Sequence, residues 1–223
     1  MIKVIPGSVF ASNADCIINT VNCVGVMGKG LALEFALRYP KLEEIYKEQC
    51  KNHEIKTGNL YFYEVDGQKI INFPTKFHFA KPSQIEWIEQ GLDCFATNYK
   101  KWNIKSIAFP LLGARNGGLD SNFIIDLITK KLAKLDIQIF ICLNKEPDQK
   151  EIEMVNNFKS CDIVQLAEQL NLNAKKLNEL KAMQHSMNKF EDLLSNKVVD
   201  SKKYKIVYNY FYTNQLPAFR PLV

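Results

Sequence analysis

The sequence contains no apolar run near the roughly 18 residues that a membrane-spanning helix requires. Its longest runs, such as SIAFPLL at 106–112, stop far short, so no membrane span is expected. The opening MIKVIPGSVF has neither a basic n-region nor the long apolar stretch of a secretory signal, and a cytoplasmic protein is the expectation. Cys16, Cys23, Cys50, Cys94, Cys142 and Cys161 form no Cys-x-x-Cys pair and have no histidine at metal-ligand spacing, which points to buried free thiols. With no acidic or Cys/His cluster beside the glycine-rich stretches, no metal is implied. Also missing is any basic block. The formal net charge of +5 is spread along the chain, with 17 basic against 14 acidic residues up to Leu143 and 12 against 10 after it. That excess permits a nucleic-acid partner without arguing for one. Internal repeats and low-complexity tracts are absent too.

What is present is an ordinary globular composition: 223 residues, 47% hydrophobic and 24% charged, enough for one domain with an appendage. Up to about Cys142 the chain alternates two kinds of segment. IKVI (2–5), DCIINT (15–20), GNLYFYEV (58–65), KIINF (69–73), SIAFPLL (106–112) and IQIFIC (137–142) are short, apolar and rich in β-branched or aromatic residues, as strands covered on both faces are. Helices are expected over 30–39, stopped by Pro40, and over 41–50. A third helix is expected from Ser83, capped in an S-x-x-E box with Glu86 and burying Ile85, Ile88, Leu92, Phe95 and Tyr99. A fourth runs from Asp120 or Ser121 to Leu135 over Ile124, Leu127, Ile128 and Leu132. The pattern is three-layer α/β/α with a central mixed sheet and one hairpin at Asp66-Gly67. After EPDQKE (146–151) the signals turn mainly helical, over 152–158, 163–170 and 174–194, with a strand-like YKIVYNYFY at 204–212. A boundary near Lys145 separates domain 1–145 from a helical extension, 146–223.

Two loops carry the chemistry. NTVNCVGVMGKGLALEF (19–35) joins a strand to a helix through Gly25, Gly28 and Gly30, as anion-cradling loops do. It is no Walker A loop, because only two residues separate Gly25 from Gly28 and Lys29 is followed by Gly30, not Ser or Thr. It is a poor dinucleotide fingerprint, because Leu33 stands where the third glycine belongs. LLGARNGGLD (111–120) repeats the arrangement with Gly113, Gly117 and Gly118. Two such loops at the carboxyl ends of strands, each with a helix N-terminus behind it, suit a diphosphate linking two larger groups, although two ordinary tight turns would share the pattern.

The order GSVF, ADCIINTVNCVGVMGKGLALEF, INFPTKFHFAKPS, FPLLGARNGGLD resembles the macrodomain family of ADP-ribose-binding modules, over roughly residues 1–143. Within it the chain looks most like the DNA ADP-ribosyl glycohydrolase (DarG) type, an antitoxin that removes ADP-ribose from thymidine in DNA. The resemblance implies an ADP-ribose site in which Gly25, Val26, Met27, Gly28, Lys29, Gly30 and Leu31 wrap the distal ribose and the diphosphate. Gly113, Ala114, Arg115, Asn116, Gly117, Gly118 and Leu119 would cradle the phosphates from the other side, and Ser8 and Val9 would lie at the adenine end. Asn22 matches a ribose-contacting asparagine that orients the sugar, and the resemblance counts it with Lys76 among the catalytic residues. Lys76, in NFPTKFHF, matches the lysine to which this type assigns catalysis. Desolvation among Pro74, Phe77 and Phe79 would lower its pKa, and a neutral amine is a competent nucleophile or base. His78 is a conceivable acid only if the strand stays regular. No cofactor is implied beyond ADP-ribose as ligand or product.

Three positions depart from the family pattern. Ser8 stands where an Asp often reads adenine, Ala114-Arg115 replace the middle of a Gly-Cys-Gly-Asn-Gly-Gly loop, and Gly117 stands where protein-directed relatives carry an Asp, which favours the DNA-directed arrangement. A non-catalytic ADP-ribose reader, or a hydrolase acting on ADP-ribosylated protein carboxylates or O-acetyl-ADP-ribose, remain alternatives. In the extension, IVQLAEQLNLNAKKLNEL (163–180) has the rhythm of a helix-turn-helix, with Ala167 and Leu177 buried and Asn171 in the turn. A helix that contacts DNA, ADP-ribosylated DNA included, a purely structural helical appendage and docking of a cognate ADP-ribosyltransferase toxin are all open to it, and the resemblance implies docking.

Overall fold

The computed structural model describes residues 1–213. The chain separates into two compact units, Met1–Glu146 and a second from Pro147 onward. In the first, β1 (Ile2–Gly7), β2 (Cys16–Asn22), β3 (Tyr61–Val65), β4 (Gln68–Lys76), β5 (Ser106–Pro110) and β6 (Gln138–Glu146) form one mixed sheet of order β1-β6-β5-β2-β4-β3. All neighbours run parallel except the β3–β4 hairpin. Asp66 (φ 50°) and Gly67 (φ 80°) turn that hairpin with two left-handed residues, the geometry an Asp-Gly pair favours.

Strand alternation sorts the core into two layers. From β2, Cys16 and Ile18 face one way, joining Ile71 and Phe73 of β4 and the buried stripes of α3 (Ile85–Asn98) and α4 (Ser121–Leu132). Ile17 and Val21 face the other way, toward α1 (Gly30–Arg38) and α2 (Pro40–Lys51), which contribute Phe35, Ala36, Leu42 and Tyr46. The capping box expected at Ser83 and Glu86 does not form. The helix starts at Ile85, Gln84 sits at the cap without a side-chain bond, and Ser83 is drawn aside because its N–H donates to the Gly117 carbonyl. Ile85, in the first turn, is consequently exposed, whereas Ile88, Leu92, Phe95 and Tyr99 are buried as expected. All six cysteines are free, but only Cys16, Cys50 and Cys142 are buried, the other three being half-buried. Burial pushes the Cys142 thiol up to about 12, which keeps it an inert core group.

The second unit is helical: α5 (Gln149–Ser160), α6 (Ile163–Gln169), α7 (Ala174–Ser186), α8 (Asp192–Ser195) and α9 (Ser201–Thr213). The strand expected at 204–212 is α9. Its aromatic, β-branched composition suggested a strand, but Tyr204, Val207, Tyr208 and Phe211 are buried at helical spacing around the Phe190 ring. The helix expected over 174–194 breaks after Ser186, because the Asp192 carboxylate accepts from the N–H groups of Asn188 and Lys189 and folds the chain there. That turn lets Met187 and Phe190 both enter the core. α6 and α7 flank a turn with Asn171 in the left-handed region (φ 49°), but Leu177 is only half-buried and Leu180 supplies the buried contact.

One glycine in the first unit yields a counterintuitive stability prediction. A Cβ on Gly91, inside α3, would lie 2.2 Å from the fully buried Phe73 ring. Gly91→Ala, ordinarily helix-stabilising, should therefore destabilise this unit by about 1–3 kcal/mol through overpacking. Thermal unfolding followed by circular dichroism reads it, and an unchanged or raised midpoint would contradict the packing argument.

Candidate functional site

The sheet order places β2 between β4 and β5, all parallel, so three carboxyl ends lie side by side where open α/β sheets bind ligands. The first glycine loop leaves β2, the second leaves β5, and Lys76 is the last residue of β4. Asn22, the last residue of β2, pairs in register with Lys76 across a local irregularity.

Asn22 is buried and its carboxamide is engaged by its own loop. Oδ1 accepts from the N–H groups of Val24 (3.0 Å) and Val26 (3.3 Å), and Nδ2 donates to the Val26 carbonyl (2.6 Å). Tyr46 of α2 lies beneath, donating from its hydroxyl to the Asn22 carbonyl (2.7 Å) and accepting from the Asn22 N–H (3.3 Å). Desolvation, the main effect, raises the Tyr46 pKa and keeps it a neutral donor. In this arrangement Asn22 shapes the loop through Oδ1 and one N–H of its carboxamide. Met27, placed among the ligand contacts by the sequence, has its side chain packed with Val21, Ala36, Tyr46, Cys50 and Ile55. The Val26 N–H, expected to face an anion, is the one held by Asn22. The N–H groups of Gly28, Lys29 and Gly30 make no hydrogen bond among the described residues. Gly30 (φ 56°) opens α1, and Lys29 at its cap makes no side-chain bond, so that helix end stays open to an anion.

The second loop is wound on itself. Ala114, Gly118 and Leu119 donate to the carbonyls of Leu111, Ala114 and Gly113. Gly117 is buried, and a Cβ there would lie 2.1 Å from the Gly113 oxygen and 2.3 Å from Ser83 Oγ. Arg115 is exposed, and its guanidinium donates to the Asn144 carbonyl (2.9 Å), tying the loop to β6. Behind this loop the Asp120 carboxylate caps α4 by accepting from Phe123, which sets a negative charge at that helix end. The helix end behind the first loop has no such carboxylate.

Lys76 joins the loops. Its Nζ donates to the carbonyls of Phe79 (3.2 Å) and Asn116. The side chain of Asn116 reaches the start of α1, where a Cβ on Gly30 would lie 3.2 Å from its Nδ2. Burial lowers the Lys76 pKa. His78 shares no strand face with Lys76, because β4 ends at Lys76; its ring lies 4.3 Å from that of Phe79 and its Nδ1 accepts from Ala80. Val9 packs in the core, Leu31 and Leu119 against it, and Ala114 is buried. Ser8 is buried at the end of β1 with its hydroxyl unpartnered. The sequence did not single out Tyr46, one aromatic among many in a helix, or the role of Ser83 beneath the second loop.

A family model described as Macro domain matches residues 18–127. The DNA ADP-ribosyl glycohydrolase of Mycobacterium tuberculosis is 44% identical over 118 residues, 51% of this chain and 34% of that protein. The solved macrodomain of Mycobacterium tuberculosis DarG superposes with a TM-score of 0.62 at 37% identity, covering 64% of this chain and 97% of that one. A Thermosipho africanus DNA ADP-ribosyl transferase-DNA ADP-ribosyl glycohydrolase fusion protein is 33% identical over 176 residues, 70% of this chain and 45% of its own length. Thermosipho africanus DarTG in complex with ADP-ribose superposes with a TM-score of 0.60 at 34% identity, over 64% of this chain and 41% of that one. The matches thus span less than half the length of these two curated relatives.

Removing the hydroxyl beneath Asn22 should loosen the first loop. Tyr46→Phe leaves a buried carbonyl without its donor, at a cost of about 1–3 kcal/mol. The urea midpoint should fall, and the Val24 and Val26 amides should exchange hydrogen faster. Unchanged exchange there would mean that the carboxamide holds the loop unaided.

Proposed function

The chain belongs to the macrodomain family, and from that premise we propose that it is an ADP-ribosyl glycohydrolase that releases ADP-ribose from a modified thymidine base in DNA. The observation that carries the reading is Lys76, an amine of lowered pKa at the carboxyl edge of the sheet, bonded to the second loop and paired in register with the residue that holds the first. On this reading the free N–H groups of Gly28, Lys29 and Gly30 and the open end of α1 take the diphosphate. The second loop supports it from the other side, with Asn116 spanning the two.

The chemistry uses water and the chain's own groups, without a cofactor. A neutral Lys76 amine has two N–H bonds, and the carbonyls of Phe79 and Asn116 accept both. Its lone pair is then left for the anomeric carbon of the distal ribose. Attack there forms a C–N bond to Nζ while the bond to the base breaks, its electron pair leaving with the base nitrogen, which gains a proton from water. The hydroxide left by that proton transfer then attacks the anomeric carbon of the secondary ammonium adduct and breaks its C–N bond, returning the neutral amine and releasing ADP-ribose. Asp120 supports a DNA-directed site over a protein-directed one, because the carboxylate nearest the second loop in sequence serves as a helix cap. The relative that fuses transferase and glycohydrolase supports a cognate ADP-ribosyltransferase as partner; its docking on the helical second unit is part of the proposal. Co-elution of the full chain with that transferase in size-exclusion chromatography tests the docking, and separate elution speaks against it.

The activity is tested with ADP-ribosylated single-stranded DNA. Lys76→Ala should abolish release of ADP-ribose while calorimetry shows free ADP-ribose still bound. Lys76→Arg, which keeps a charge that is never given up, should be equally inactive. Because the reactive form is neutral and burial disfavours the ammonium, the wild-type rate should climb with pH and level off with a midpoint below 10.5. Turnover by either variant would sink the assignment.

A further inference from the structure

Immediately after Lys76 the chain reads FHFAK. Three phenylalanines are exposed among the described residues, and two of them, Phe77 at 62% and Phe79 at 51%, lie in this stretch. Their backbone is held firmly nonetheless. Cys23 donates to the Phe77 carbonyl (3.0 Å), Lys81 to the His78 carbonyl (3.0 Å), and the Lys76 amine to the Phe79 carbonyl. Two large apolar rings therefore stand in water on a fixed backbone beside the reactive amine. Leaving them uncovered forgoes the burial free energy that phenylalanine ordinarily contributes to folding.

The charge around them narrows what covers them. The segments 22–33, 76–85 and 110–119 at this sheet edge contain Lys29, Lys76, Lys81 and Arg115, and the carboxylates that follow each of them, Glu34, Glu86 and Asp120, belong to the helices beyond, Glu34 paired with Arg38 and Asp120 capping α4. Aromatic rings interleaved with cations, on a fixed support, match the chemistry of a single nucleic-acid strand, whose bases stack on rings and whose phosphates meet the lysines. A base inside a duplex offers no free face to such a ring.

We infer that Phe77 and Phe79 form a stacking platform for unpaired bases flanking the modified nucleotide, with Lys81 meeting the backbone phosphate. This rests on the DNA-directed reading of the site, yet its test does not require catalysis. Fluorescence anisotropy with an unmodified, labelled single-stranded oligonucleotide is measured on the full chain. Wild type should bind it more tightly than the corresponding duplex. The double variant Phe77→Ala/Phe79→Ala should bind about tenfold or more weakly, and Phe77→Trp/Phe79→Trp should retain binding. Lys81→Gln should reduce the slope of log affinity against log salt by about 0.7. Calorimetric affinity for free ADP-ribose should be unchanged in the alanine variant, which separates a lost platform from a lost fold. Oligonucleotide binding that is absent in the wild type, or equal in the alanine variant, would overturn the platform. So would a preference for duplex, or for an ADP-ribosylated peptide over the oligonucleotide. A chain whose Lys76 variants remain active can still pass this test, and one whose Lys76 variants are dead can still fail it.

Discussion

Asn22 closes β2 with a side chain that bonds the backbone just beyond it, and Tyr46 grips the same residue at its N–H and its carbonyl. This small cluster is buried, so each of its polar atoms needs a protein partner, and that need admits few arrangements of the chain. It decides where the first loop leaves the sheet. Met27 then fixes the loop from the core side, and α1 begins with its amide end directed out of the cap. Through the register of Asn22 with Lys76 the same cluster sets the height of β4, and hence of the amine, against both loops.

At Lys76 two effects oppose each other. Carbonyl oxygens that accept from an amine favour its protonated form, whereas partial burial favours the neutral one; burial prevails, and the pKa falls. The carbonyl contacts then matter chiefly for direction. They orient two of the amine's substituents and leave the remaining tetrahedral position as the one from which it can act. A lysine held only by solvent would titrate normally and point nowhere in particular.

Much of this could be read from the residues. The parallel strands announced themselves by unbroken apolar runs, the hairpin by Asp-Gly, and the two loops by glycines between a strand and a helix, because each of these signals is local. Part of what escaped was set by contacts distant in sequence. Ser83 fits a helix cap until Gly117 claims its N–H, and nothing near Asn22 in sequence marks Tyr46 as its partner. The segment at 204–212 carried strand-like composition and helical spacing together, and spacing prevailed because one helical face meets Phe190. The break after Ser186 depends on a single carboxylate, Asp192, turning back to two amides, which no periodicity reveals.

The charges at the sheet edge and the state of Lys76 have one explanation. A carboxylate beside the amine would favour its ammonium form and raise its pKa, and would repel a diphosphate approaching α1. Of the acids that border the three segments, Glu34 pairs with Arg38, Glu86 lies in the first turn of α3, and Asp120, at the end of the second loop, is turned into the cap of α4. Capping satisfies the Phe123 N–H and sets a carboxylate at that helix end, which disfavours an anion there, whereas the end of α1 carries none. One asymmetry thereby separates the two helix ends: that of α1 has no side-chain cap, and that of α4 carries a carboxylate.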